Sequence, residues 1–141
     1  MLIVDSLSKS FEVHHGGVLS VTPFQGLSFS VETGEMLSLS GPSGIGKSSV
    51  LKCVYRTYLP TSGAVWFQTG GSGTVNLAEA PERQIAGLRK REIGYVSQFL
   101  KVIPRVPAID IVADRLLALD CPKEEAFERA GETLERLRIP K

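Results

Sequence analysis

Short apolar runs separated by turn residues fill the first part of the chain, and longer helical stripes fill its last part. Leu2-Ile3-Val4 is an apolar run of strand length, and the chain continues extended around Ser10 to Val13. His14-His15-Gly16-Gly17 reads as a hairpin turn. Val18 to Thr22 and Leu27 to Val31 read as further strands, with Pro23 and Thr33-Gly34 as breaks. Met36-Leu37-Ser38-Leu39-Ser40 alternates apolar with small polar residues, the period of a short buried strand. Helical character follows over Ser49 to Tyr55. Pro60-Thr61-Ser62-Gly63 predicts a turn, Ala64 to Gln68 a strand, Gly70-Gly71-Ser72-Gly73 a hairpin turn, and Val75-Asn76-Leu77 another strand. Pro81 opens a helix through about Leu88, since a first helical position needs no N–H. Ile93 to Ser97 predicts a core strand. Ala108 to Leu119 and Lys123 to Leu137 predict two helices parted by Cys121-Pro122, the second carrying a buried stripe of Phe127, Ala130, Leu134 and Leu137.

Composition narrows the class of molecule. At 141 residues the chain is long enough for a real core, and 43% hydrophobic with 22% charged residues is ordinary for a globular protein. A net charge of +1 argues against a dedicated nucleic-acid or membrane-surface protein. Cys53 and Cys121 lie far apart without a metal or redox spacing, so free thiols are expected and a disulfide is the lesser alternative. No stretch approaches the roughly 20 apolar residues that cross a bilayer, and the first residues have no basic leader ahead of an apolar run. A cytoplasmic location is expected, with a membrane reached only through a partner.

The candidate chemistry lies between the fifth strand signal and the first helix. Gly41-Pro42-Ser43-Gly44-Ile45-Gly46-Lys47-Ser48-Ser49 has the spacing G-x-x-x-x-G-K-S of a phosphate-binding loop. The three glycines permit backbone conformations that a Cβ forbids. Successive N–H groups then turn inward around phosphate oxygens at the start of a helix. Lys47 supplies a point charge for the β- and γ-phosphates, and the Ser48 hydroxyl is a hard oxygen ligand for Mg²⁺. A nucleoside triphosphate with its magnesium ion is the expected ligand.

With that loop in its strand–loop–helix setting, the chain resembles the ATP-binding cassette (ABC) ATPases. The resemblance implies an α/β fold: a P-loop NTPase (RecA-like) core, an antiparallel β subdomain and the first part of an α-helical subdomain. Residues 1–97 would form the nucleotide-binding core and residues 98–141 the Q-loop and the start of the helical subdomain. Phe11, within Leu7-Ser8-Lys9-Ser10-Phe11, takes the place of the family's aromatic residue that stacks on adenine; stacking is worth on the order of 1–3 kcal/mol. A core phenylalanine on a strand is the alternative. Gln98 matches the family's Q-loop glutamine, whose amide oxygen completes the Mg²⁺ shell and positions water; a surface glutamine without a role is the alternative. The resemblance thus gives Lys47 and Gln98 catalytic roles and makes Ser48 and Gln98 the metal ligands.

Within that superfamily the chain is more closely similar to the PhnL family, an ATPase-like component of the bacterial phosphonate carbon–phosphorus lyase system. Tyr55-Arg56-Thr57-Tyr58-Leu59-Pro60 and the run from Gly94-Tyr95-Val96-Ser97-Gln98 to Val106 carry this likeness, and Val75 to Arg83 supports it. Soluble lyase subunits are the implied partners, and the full-length cassette is implied to be a homodimer. An ATPase of a lipoprotein-releasing or macrolide-type exporter is the alternative, and a nucleotide-binding module without turnover is another. The sequence holds no Ser-Gly-Gly-Gln signature, no strand ending in Asp-Glu and no late switch histidine. A fragment of a longer gene is therefore expected. Leu116 to Asp120 imitates a magnesium-binding strand, but it continues a helical pattern and Cys121 follows where glutamate would stand. The Lys90-Arg91 pair is expected to be a solvated helix end.

Overall fold

The computed structural model describes all residues except 15–17, 72, 99–102 and 140–141. It divides into two compact units, Met1–Ile93 and Gly94–Lys141. In the first unit, β1 (Leu2–His14) and β2 (Val18–Val31) form a long hairpin, followed by α1 (Lys47–Val54), β3 (Ser62–Gln68), β4 (Thr74–Asn76) and α2 (Glu82–Arg91). The four strands make one antiparallel sheet in the order β2-β1-β3-β4.

Strand alternation decides which side is core. Val4 pairs with Phe29 on β2 and Val65 on β3, so three apolar side chains share one face. Beneath that face Val4, Leu7, Val65 and Leu77 are buried with Cys53 of α1 and with Ile85 and Leu88 of α2. Burial pushes the Cys53 thiol above its ordinary 9.0, with the Lys9 ammonium opposing, and both cysteines are free. Arg56 ties the chain after α1 to the segment leading into α2. Its Nε donates to the Leu77 carbonyl at 2.7 Å and its Nη1 reaches Glu82 at 3.2 Å. Arg89 of α2 donates twice to the Tyr55 carbonyl, at 3.1 and 2.9 Å, while Lys90 and Arg91 are exposed as expected.

In the second unit α3 (Ala108–Leu117) packs on α4 (Lys123–Arg136). Each starts directly after a proline, Pro107 or Pro122, in extended conformation. The buried residues are Ala113 of α3 and Ala126, Ala130, Gly131 and Leu134 of α4. Small side chains let the two backbones approach closely. Among the described residues no helix is long and apolar enough to cross a membrane.

Four expectations are corrected. Pro23 does not break its strand: β2 runs through it, because β2 is a sheet edge and a missing N–H there costs no ladder bond. Met36–Ser40 and Ile93–Ser97 are not strands, and Met36 and Val96 are 94% and 86% exposed. An extended segment becomes a strand only where a neighbour accepts its ladder, and the described sheet offers these two none. The α4 stripe runs through Ala126, with Phe127 half-buried, and ends at Leu134. Leu137 lies beyond the last helical turn and is 63% exposed. The Gly70–Gly73 turn does join β3 to β4, closed by Thr69 N–H donating to the Gly73 carbonyl at 2.8 Å. The central residues of the first hairpin turn lie outside the described residues.

One glycine is held by the sheet itself. Gly63 at φ +88 lies against the β1 irregularity, where an added Cβ would sit 2.5 Å from the Ser6 carbonyl oxygen and 2.6 Å from that of Asp5. Both obstacles are backbone and cannot step aside. Gly63→Ala is expected to lower stability by at least about 2 kcal/mol, read as a shifted urea midpoint at unchanged slope.

Candidate functional site

The loop at 41–46 is shaped by three left-handed glycines, Gly41 at φ +142, Gly44 at +85 and Gly46 at +105. Gly46 caps α1, and its Val50 N–H donates to the Gly46 carbonyl at 3.0 Å. No side chain caps this helix, and its first turn carries no acidic residue. Its first N–H groups are therefore free to face an anion, with the positive end of the helix dipole behind them. The surrounding sequence suits that: between Glu35 and Glu79 there is no carboxylate, while Lys47, Lys52 and Arg56 fall inside the interval.

Lys47 folds back over the loop, its Nζ donating to the carbonyls of Gly41 at 2.7 Å and Pro42 at 2.8 Å. Two neutral carbonyls thus hold the ammonium where a charged phosphate oxygen is the stronger acceptor. The exposed Ser48 hydroxyl makes no hydrogen bond among the described residues. A groove of about 410 Å³ beside the loop is lined by residues 36–39 together with Lys47, Ser48 and Leu51. These features fit a triphosphate on the loop amides and a hard cation on a hydroxyl. The described residues contain no cluster of three His, Cys, Asp or Glu, so no carboxylate-rich metal cage competes with that arrangement.

The sheet positions the loop through Pro23. A Cβ added to Gly46 would lie 2.8 Å from Pro23 Cβ and 2.9 Å from its carbonyl oxygen. Pro23 falls between Val21, which pairs with Phe11, and Phe24, which pairs with Lys9. From the strand spacing, the α-carbons of Phe11 and Pro23 are roughly 8 Å apart. That is the scale separating a nucleoside's base from its phosphates. The structure thus gathers Phe11 and residues Gly41, Pro42, Ser43, Gly44, Ile45, Gly46, Lys47, Ser48 and Ser49 on the first unit. Gln98 lies in the second unit, exposed at a bend.

Sequence reasoning missed three residues here. Pro23, expected only as a break, is the surface on which the loop rests. Tyr58 meets Phe11 edge-on, with ring centroids 5.2 Å apart and planes at 80°, and the Lys9 ammonium lies 4.7 Å from the Phe11 ring centre. The Tyr58 contact has no local spacing that would announce it, because 47 positions of chain separate the two rings, whereas Lys9 and Phe11 are two apart on one strand, a spacing that puts both on one face. Gly46→Ala adds strain at a positive φ and drives a methyl into Pro23. A stability loss of about 2 kcal/mol is expected, and anion binding at the loop, measured with inorganic phosphate or tripolyphosphate, should fall with it.

Comparison with known proteins extends this picture. A family model described as ABC transporter matches residues 24–141. The lipoprotein-releasing system ATP-binding protein LolD of Cereibacter sphaeroides is 32% identical over 139 residues, covering 99% of this chain and 59% of its own length. LolD of Aquifex aeolicus is 35% identical over 113 residues, covering 80% and 48%. Among solved structures, a dimeric, post-hydrolysis form of the ATP-binding cassette MJ0796 bound to ADP and Pi superposes with a TM-score of 0.83 at 23% identity. It is matched over 100% of this chain and 59% of its own. That likeness establishes the cassette fold, of which this chain spans about three-fifths. The family match takes in the glycine loop, its helix and every element that follows, and the chain belongs to the ABC transporter family.

Proposed function

We propose that this chain binds Mg·ATP on residues 41–49 and forms the nucleotide-binding part of an ABC-type ATPase. The glycine loop opening onto an uncapped helix start, with Lys47 folded over its mouth, carries this reading. Loop amides from Gly41 to Ser49 hold the phosphates, Lys47 balances charge on the β- and γ-phosphates, and Phe11 stacks on the base. Ser48 would offer an oxygen ligand for magnesium, and Gln98, in the role the family resemblance implies for it, would complete that shell and orient water. When bound, magnesium would supply neutralisation of phosphate charge. Phosphoryl transfer in such sites depends on positioning and electrostatics, so these roles suffice for binding.

Hydrolysis needs more than these residues. An Asp-Glu strand end and a signature helix facing the phosphates from a second subunit are both absent from the sequence. The MJ0796 cassette was solved as a dimer, which supports pairing of two full-length cassettes around ATP. In that assembly the chain acts as an ATPase subunit at the cytoplasmic side; by itself it binds without turnover. Magnesium-dependent phosphate release by the 141-residue chain, lost on Lys47→Ala, would contradict the binding-only role.

The partner divides two finer readings. The phrases at 55–60, 75–83 and 94–106 support a component of the phosphonate carbon–phosphorus lyase system, in which conformational work is applied to soluble lyase subunits. The 32% identity to a LolD protein supports an exporter subunit working on a membrane permease. Co-purification of the full-length protein decides between them: soluble lyase subunits support the first reading, and a permease removes it. Calorimetric titration of the folded chain with Mg·ATP should show saturable binding, and Lys47→Ala should weaken it roughly 10- to 100-fold. Unchanged affinity in that variant would remove the nucleotide reading altogether.

A further inference from the structure

We infer that Tyr58 is a positioning residue for the nucleotide base, holding the Phe11 ring in the orientation that accepts it; this rests on the Mg·ATP reading above. A lone phenylalanine on an exposed β-ribbon can swing about its χ1 and χ2 torsions, which makes a poor platform for a planar base. Here the ring is pinned. Tyr58 packs against it in a T-shaped contact, ring centroids 5.2 Å apart with planes at 80°. The Lys9 ammonium stands 4.7 Å from the ring centre over one face. The two contacts together limit how far the Phe11 ring can turn.

Tyr58 is itself fixed from the phosphate end of the site. Its N–H donates to the Lys52 carbonyl at 3.1 Å, and its hydroxyl accepts from Lys52 Nζ at 3.3 Å. Lys52 is on α1, the helix whose first residues are Lys47 and Ser48. Three residues further on, Thr61 N–H donates to the Ser8 carbonyl at 2.8 Å, and the Thr61 hydroxyl accepts from Ser10 N–H at 2.9 Å. The segment carrying Tyr58 is thereby fastened to α1 on one side and to the Phe11 strand on the other. Lys52, Tyr58 and Phe11 form a relay that fixes the distance and angle between base platform and phosphate loop. A nucleoside triphosphate engages both ends at once, so loosening the relay weakens the base contribution and spares the phosphates.

The test compares two ligands on the 141-residue chain, Mg·ATP and magnesium tripolyphosphate, which has phosphates and no base. Tyr58→Ala should lower affinity for Mg·ATP about 5- to 10-fold and leave tripolyphosphate within about 2-fold of the parent. Tyr58→Phe keeps the aromatic ring and should restore most of the Mg·ATP affinity. If Tyr58→Ala does not fold, as judged by its melting transition, Lys52→Met provides the second variant, with a smaller loss again confined to Mg·ATP. An equal loss for both ligands would make Tyr58 a merely structural residue, and unchanged Mg·ATP affinity would remove the relay; either overturns the proposal. Failure of the parent chain to bind either ligand is a separate result, directed at the nucleotide reading itself.

Discussion

Where the glycine loop turns into its helix, the α-carbon of Gly46 is pressed against Pro23, leaving no room for even a methyl group. That contact sets where α1 begins relative to the sheet. Lys47 and Ser48 are the next two residues, so their places follow from it. So does the direction of the helix, and with it the position of Cys53 beneath the sheet and of Lys52 beside Tyr58. A proline suits the contact for two reasons: its ring is rigid, and on an edge strand its missing N–H breaks no ladder bond. The left-handed φ at Gly46 and the close approach at the same residue are one requirement met by one amino acid.

Each strand of the antiparallel sheet has a neighbour that completes its ladder: β1–β2 and β3–β4 through hairpins, and β1–β3 across the intervening loop and α1. β1 serves both β2 and β3; the extra residue near Ser6 is on β1, and the one opposite Lys9–Phe11 is on β2. Residues 36–40 and 93–97 have strand-like patterns without that advantage. Their alternation states only that one side of each would be apolar. It does not supply the partner whose N–H and C=O groups complete a ladder, and among the described residues none does. The solved cassettes that share this fold are longer than this chain, which matches about three-fifths of them.

The site divides along the same line. Its phosphate end is local chemistry: glycines, a lysine and a serine within nine consecutive residues, which fold into a loop because their own φ values and helix start demand it. Its base end is assembled from β1 and from the turn after α1, and the contacts that join these two are long-range. Local chemistry can be read from spacing. Long-range contacts cannot, since the pairing of Phe11 with Tyr58 depends on a strand register that no single segment encodes.

Residue spacing alone was enough for the phosphate loop, the helix that follows it, the β3–β4 turn and the two proline-led helices near the end, all features in which neighbours along the chain satisfy one another's hydrogen bonds. Tertiary structure alone decided which extended segments became strands, that Pro23 would bear the loop rather than end a strand, and that the apolar stripe of α4 would centre on alanines. It also chose the partners of Phe11. In each of these the outcome depends on whether another part of the chain presents a ladder, a surface or a ring edge at the right distance, and that is a property of the packed molecule.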